Sequence, residues 1–153
     1  MNIFVLHKDP QTCAKYHCDK HNVKMLLEYS QMVCSNLNEM GYETPYKTTH
    51  KNHPCTIWLR QSIDNWNWLY DLTYHLNEEY KLRYGHTKNH KSWDIIKSLP
   101  KPKLPKTGMT PFAQAMPEQY RNKDTVKAYR AYYLGEKKDF ATWKTKKPSW
   151  WLL

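Results

Sequence analysis

Two spans of this 153-residue sequence, 10–41 and 54–85, open on a proline and close on a glycine, with neither residue type in between. Proline fits the first turn of a helix, where its missing N–H costs nothing, and glycine fits the left-handed position just past the last turn. The bracketing therefore predicts helices. Asp9 is placed to cap the first span, and Asn52 or His53 the second. The first span is long enough for one helix or two, and the second reads as one long helix. Within it Val23, Leu26, Leu27, Ser30, Val33, Cys34 and Leu37 recur at three and four, which predicts a core-facing stripe. Leu59, Ile63, Trp66, Leu69, Thr73, Leu76 and Tyr80 supply the matching face of the second.

The rest of the chain fits around these spans. Residues 2–6 are a short apolar run, read as a strand or an extended segment tucked into the core, and residues 44–53 read as a loop. A short helix is expected at 93–99. Pro100, Pro102, Pro105, Pro111 and Pro117 predict an extended strap that wraps the surface. Asp124 caps a last helix with Val126, Tyr129, Tyr133, Phe140 and Trp143 on its buried side, and Gly135 weakens its continuity. Too little chain follows the strap for a second core. The expected fold is mainly α: a compact single-domain helical fold over 1–153, with a short N-terminal extended segment and a proline-rich strap at 100–117.

Lys plus Arg number 24 against 14 Asp plus Glu, a formal charge of +10. Such an excess attracts polyanions through counterion release; nucleic acid, a nucleotide or an acidic protein would each qualify, and a merely soluble basic surface carries the same charge. The expected contact is the run Lys81, Arg83, Lys88, Lys91, Lys97, Lys101, Lys103 and Lys106, which meets only Asp94 as an acid. Trp66 and Trp68 read as core and rim, with base stacking as the alternative. Trp150 and Trp151 either grip nucleic acid beside their lysines or pin the C-terminus. Cys13, Cys18, Cys34 and Cys55 form no Cys-x-x-Cys pair, and residues 1–6 are too short for the apolar part of a signal peptide. No apolar run is long enough to span a bilayer, so a reduced, cytoplasmic setting with no membrane partner is expected.

Candidate chemistry concentrates in two histidine clusters, His17-Cys-Asp19-Lys20-His21 followed by Lys24, and His50-Lys-Asn52-His53 ahead of Pro54. His17, His21, Lys24, Glu28 and Gln31 also recur at helical spacing, so on a helix they form one polar ridge, and its two histidines point to a cleft rather than open solvent. Neutral imidazoles accept protons near neutral pH and lysines hold phosphate oxygens. His17, Asp19 and His21 are thus the expected proton-handling groups, and Lys20 and Lys24 the nucleophile or phosphate anchor. A Schiff base on either lysine would suit a glycosylase with lyase activity. His50, Asn52, His53, Arg60 and Ser62, grouped about a helix start that favours anions, are the expected substrate-binding set. No cofactor is expected; zinc held by His17, His21, His50 and His53 is the weaker alternative, because an ammonium at Lys20 opposes a dication.

The runs His17-Cys-Asp-Lys-His21-Asn-Val-Lys24-Met25, Thr49-His50-Lys-Asn-His53-Pro54, Glu79-Tyr80-Lys-Leu-Arg83-Tyr84-Gly85 and Ala115-Met-Pro117-Glu-Gln-Tyr120 resemble small proteins of tailed bacteriophages over nearly the whole chain. That resemblance implies the cytoplasm of an infected bacterium as the setting, and no activity. Ala14-Lys-Tyr-His17, the histidine ahead of the middle helix, and Pro117-Glu-Gln-Tyr-Arg121 with Lys147-Pro148-Ser-Trp150 carry a second likeness. It is to the phage pyrimidine-dimer DNA glycosylases, the endonuclease V family of compact all-helical enzymes. This resemblance implies attack on a sugar by the amine of a small residue exposed when the initiator Met is removed, helped by a catalytic glutamate. Here Asn2 is too bulky for efficient Met removal, and in the simplest register the glutamate falls near Lys24, with Glu28 one turn on. The expected function is action on nucleic acid or nucleotides, as a DNA N-glycosylase-like or nucleotide-cleaving enzyme. The alternatives are a non-catalytic nucleotide binder or host-defence antagonist with a host protein as partner, and a basic DNA-binding protein.

Overall fold

The computed structural model describes residues 1–152, and no strand occurs among them. Each bracketed span is two helices: α1 (Pro10–Tyr16) with α2 (Asp19–Glu39), and α3 (Pro54–Leu59) with α4 (Ile63–Tyr84). The one long helix expected of the second span thus breaks after Leu59, because Ser62 caps a new start. They are followed by α5 (Lys91–Lys97), a single 3-10 turn at Glu118–Tyr120, and α6 (Thr125–Glu136). The starts follow the local chemistry. Asp9 Oδ2 accepts the Thr12 N–H at 2.9 Å, His53 Nδ1 accepts the Cys55 N–H at 3.1 Å, and Ser62 Oγ accepts the Asn65 N–H at 3.1 Å. Gly85 ends α4 in the left-handed region at φ 65.

The break between α1 and α2 has a distant cause. His17 and Cys18 are both extended, and the Arg83 guanidinium from α4 fills the angle they make. Its Nη1 donates to the His17 carbonyl at 2.7 Å and to Asp19 Oδ1 at 3.2 Å, its Nη2 donates to the Lys15 carbonyl at 3.0 Å, and its Nε donates to Glu79 Oε1 at 3.0 Å. Carbonyls that a continued helix would have satisfied are satisfied here by a side chain that solvent does not reach.

The N-terminal run forms no strand but is extended and buried, with Ile3, Phe4, Val5 and Leu6 all in the core. The Phe4 N–H donates to the Tyr29 hydroxyl, and the Cys13 thiol donates to the Phe4 carbonyl. This segment widens the buried arc of α2. Met25, Tyr29 and Met32 join Leu26, Val33 and Leu37 in the core, while Leu27 of the predicted stripe is 39% exposed. The face predicted on α4 is the one that packs, and Trp66 and Trp68 are both buried. Of the basic run, Arg83 is internal, and Lys81 and Lys97 pair with Glu78 and Asp94.

Residues 100–117 carry no helix and cross the start of α4. There the Pro105 carbonyl accepts the Ile63 N–H, and Asn65 exchanges hydrogen bonds with Thr110. Further along, Ala115 accepts from Asn2 Nδ2 at 2.7 Å and donates to the Tyr129 hydroxyl, so the strap ties the N-terminal segment to α6. The last helix runs through Gly135, where the Tyr120 ring fills the space a Cβ would need. Trp151 is buried, and the Trp143 indole donates to the Tyr16 carbonyl, which pins the C-terminal segment to the core. Cys13, Cys18, Cys34 and Cys55 are free and buried.

Replacing Arg83 by Met keeps most of the volume but strands Asp19 and Glu79 with no counter-charge. The expected loss is about 3–5 kcal/mol of unfolding free energy, read from urea denaturation of the two proteins.

Candidate functional site

The N-terminal segment, α2, the start of α3, the strap and α6 enclose a pocket of about 340 Å³. Its walls are Met1, Asn2 and Phe4; His21, Lys24, Met25 and Glu28; His53; Ala115; and Tyr132 with Lys137. Two expected histidines, one from each cluster, therefore share a wall. Glu28 sits among the amines: its Oε1 lies 3.5 Å from the Met1 α-amine and its Oε2 lies 3.8 Å from Lys24 Nζ. The Met1 side chain is 3% exposed although the residue as a whole is half-buried, and the Lys24 side chain is 60% exposed. Asn2 anchors the chain next to Met1: its side-chain oxygen accepts the Ile3 N–H at 2.8 Å and the Tyr129 hydroxyl at 2.8 Å.

Both pocket histidines are held neutral. Burial, then the charges of neighbouring basic groups that include Lys137, Lys24 and Lys20, push His21 down to about 2. Its ring stacks on Phe4 at 4.3 Å between centroids, and its Nδ1 lies 2.6 Å from the Tyr133 hydroxyl. Burial and then the α-amine lower His53 as well. Because His53 Nδ1 accepts the Cys55 N–H, the neutral ring carries its proton on Nε2 and offers a donor there.

The other expected site residues lie elsewhere. His17 is fully buried behind the pocket: its Nδ1 donates to the Cys13 carbonyl at 2.8 Å, so its Nε2 accepts from the Tyr29 hydroxyl at 2.8 Å. Burial pushes it down to about 3. Asp19 is spent on Arg83 and on the Lys144 N–H, which it accepts at 3.1 Å. Lys20 is exposed, with its ammonium 4.6 Å from the centre of the Phe140 ring. Arg60 and Asn52 border a separate surface hollow with Lys51 and Glu39, where Arg60 Nη1 donates to Asn36 Oδ1 and the Lys51 carbonyl. His50 takes a positive φ of 50 outside the pocket, its Nδ1 2.7 Å from the Thr49 hydroxyl, and Ser62 is the buried cap of α4. Among the described residues, no group of three or more His, Cys, Asp and Glu side chains is gathered as a metal site requires, and no helix is long and apolar enough to cross a membrane.

The site thus contains residues the sequence did not single out: the Met1 amine, Asn2, Phe4, Tyr132 and Lys137. Glu28 is visible in the sequence as a member of the polar ridge and as the carboxylate one turn past the position the resemblance assigns to a glutamate. An amine against a carboxylate, in a pocket with further basic groups, is an arrangement compatible with imine formation among other chemistries. A family model described as pyrimidine dimer DNA glycosylase matches residues 1–92, and the chain belongs to this family. The matched residues contain every wall of the pocket except Ala115, Tyr132 and Lys137. No curated protein and no solved structure matches.

The two most strongly depressed histidines, His17 and His21, give stability a pH slope. Their folded-state values lie below the ordinary value of 6.5, so the unfolded chain binds more protons as pH falls below that value and stability drops. The contribution is fully present above about pH 6.5 and is lost progressively toward pH 3, at up to about 1.4 kcal/mol per pH unit for each histidine. Urea midpoints between pH 7 and 4 should fall with this slope, and His17→Leu should remove one proton's share of it.

Proposed function

We propose that the chain is a DNA N-glycosylase with lyase chemistry, in which the Met1 α-amine attacks C1′ of a damaged or baseless nucleotide. The observation that supports this reading is an α-amine 3.5 Å from Glu28 at the edge of the pocket in a member of the pyrimidine dimer DNA glycosylase family. The closer approach to the carboxylate, 3.5 Å against 3.8 Å for Lys24, favours Met1 as the attacking group. In the neutral amine, the nitrogen lone pair forms a bond to C1′. The glycosidic bond breaks and the base leaves with that bond's electron pair. Glu28 accepts the proton the nitrogen sheds and passes it to O4′ as the sugar ring opens, which leaves a protonated imine between residue 1 and the sugar. Removal of a C2′ proton then expels the 3′ phosphate. Lys24, on the same carboxylate and exposed to solvent, is placed to meet the DNA backbone. The basic surface supports the encounter.

Borohydride reduces such an imine to a stable amine, so it should trap the protein on duplexes carrying a pyrimidine dimer or an abasic site. Peptide mapping should place the adduct on residue 1. An adduct on Lys24 would move the nucleophile, and no adduct on either duplex would reject the reading. Glu28→Gln should lower the single-turnover rate by about a hundredfold or more with little change in DNA affinity.

A further inference from the structure

The reaction proposed above gives the amine's proton an acceptor and leaves the charge on the departing base without a partner. When the bond at C1′ breaks, its electron pair goes to the base nitrogen and spreads onto the adjoining carbonyl oxygen. A donor aimed at that oxygen is worth more in the transition state than in the ground state.

His21 meets this requirement. Its Nδ1 lies 2.6 Å from the Tyr133 hydroxyl, whose proton has two acceptors in reach, that nitrogen and the Cys18 sulfur at 3.7 Å. The imidazole nitrogen is the nearer and the stronger acceptor, and burial holds the Tyr133 phenol well above its ordinary value, so the hydroxyl stays protonated and donates to Nδ1. The Cys18 N–H donates to the hydroxyl oxygen in turn, at 3.4 Å. The ring's own proton therefore stands on Nε2. Among the described residues nothing hydrogen-bonds to that atom, and the fully enclosed side-chain polar atoms without a partner are Asn22 Oδ1 and Trp150 Nε1, so Nε2 opens on the pocket whose wall the ring forms.

The ring is held in place as well as in tautomer. Phe4 stacks on it at 4.3 Å between centroids, and the Tyr133 and Phe140 rings are set edgewise to it at 5.3 and 5.5 Å. Burial, then His17, Lys137, Lys24 and Lys20, oppose a second proton on it. An imidazole that does not become imidazolium polarises a carbonyl without surrendering its proton. His53 turns the same nitrogen to the pocket but is only half-buried, where water competes with it.

We infer that His21 is a catalytic donor for the glycosidic step: its Nε2–H donates to the C2 carbonyl oxygen of the departing pyrimidine, and Tyr133 is the positioning residue that keeps the proton on Nε2. As the bond from N1 of the base to C1′ breaks, its pair is shared between N1 and that oxygen. The proton stays on His21, and the base takes one from water once the bond is broken. This inference rests on the DNA-sugar reading above for the identity of the substrate.

An abasic duplex has no base to expel, so it separates the donor from the rest of the site. His21→Phe should slow single-turnover formation of the borohydride adduct on a pyrimidine-dimer duplex by about a hundredfold. On the abasic duplex it should keep the wild-type rate. His21→Gln, which places an amide N–H near the position of Nε2, should recover a large part of the loss. Nitrogen-15 spectra should show His21 protonated on Nε2 alone in wild type and as a mixture of tautomers in Tyr133→Phe, with a smaller slowing confined to the dimer duplex. If the urea transition shows that His21→Phe does not fold, Tyr133→Phe and His21→Gln carry the same comparison of duplexes. Equal slowing on both duplexes would place His21 in the seat of the amine and overturn the inference, as would an unchanged rate on the dimer duplex or a proton on Nδ1. A wild-type adduct on neither duplex would remove the glycosylase reading and the donor with it, whereas a wild-type adduct on both that ignores His21 removes the donor alone.

Discussion

The Arg83 guanidinium closes the angle between α1 and α2, and the pocket exists because that angle is held. Its two donors to the Lys15 and His17 carbonyls let the first span stop and restart, while Asp19 and Glu79 balance its charge on either side. Asp19 then takes the Lys144 N–H, and its own N–H donates to the Thr142 carbonyl, so the C-terminal segment is fastened to the same corner. With α2 set in this direction, its polar ridge faces the N-terminal segment. His21, Lys24 and Glu28 line the pocket, and Met25 and Tyr29 turn into the core beside it. Buried charge of this kind contributes more to the uniqueness of an arrangement than to its stability, and breaking it leaves uncompensated carboxylates.

What the sequence made legible was local. Asp9, Asp124 and Gly85 announce helix ends because a cap is read within four residues of the helix it serves. The spacing of His21, Lys24 and Glu28 places them along one side of a helix for the same reason. The break at His17 depends on a side chain 66 residues away, and no periodicity carries that information. The break before α4 has no glycine or proline to mark it; the cap there is Ser62, which resembles any other polar residue between two apolar faces. The buried side of α2 was read from one stripe, whereas packing of residues 2–6 gave it a second neighbour and left Leu27 exposed.

The pocket follows the same division. The start of α3 brings in His53 through its own capping bond, a contact the Pro54 context suggests. Lys137 and Tyr132 enter only through the docking of α6, which the strap and Asn2 direct by hydrogen bonds to Ala115 and Tyr129. The α-amine carries no signal in periodicity or spacing, since every chain has one; its 3.5 Å approach to Glu28 distinguishes it.

The Asn2 side chain is gripped by groups from the far end of the chain, the Ala115 carbonyl and the Tyr129 hydroxyl. Synthesis on the ribosome delivers residues 1–92 well before those partners emerge, so a nascent chain can hold α1 through α4 in place while its amine still lacks the seat that aims it at Glu28. The seat of the first residues beside Glu28 is thus completed only when the polypeptide has come full circle.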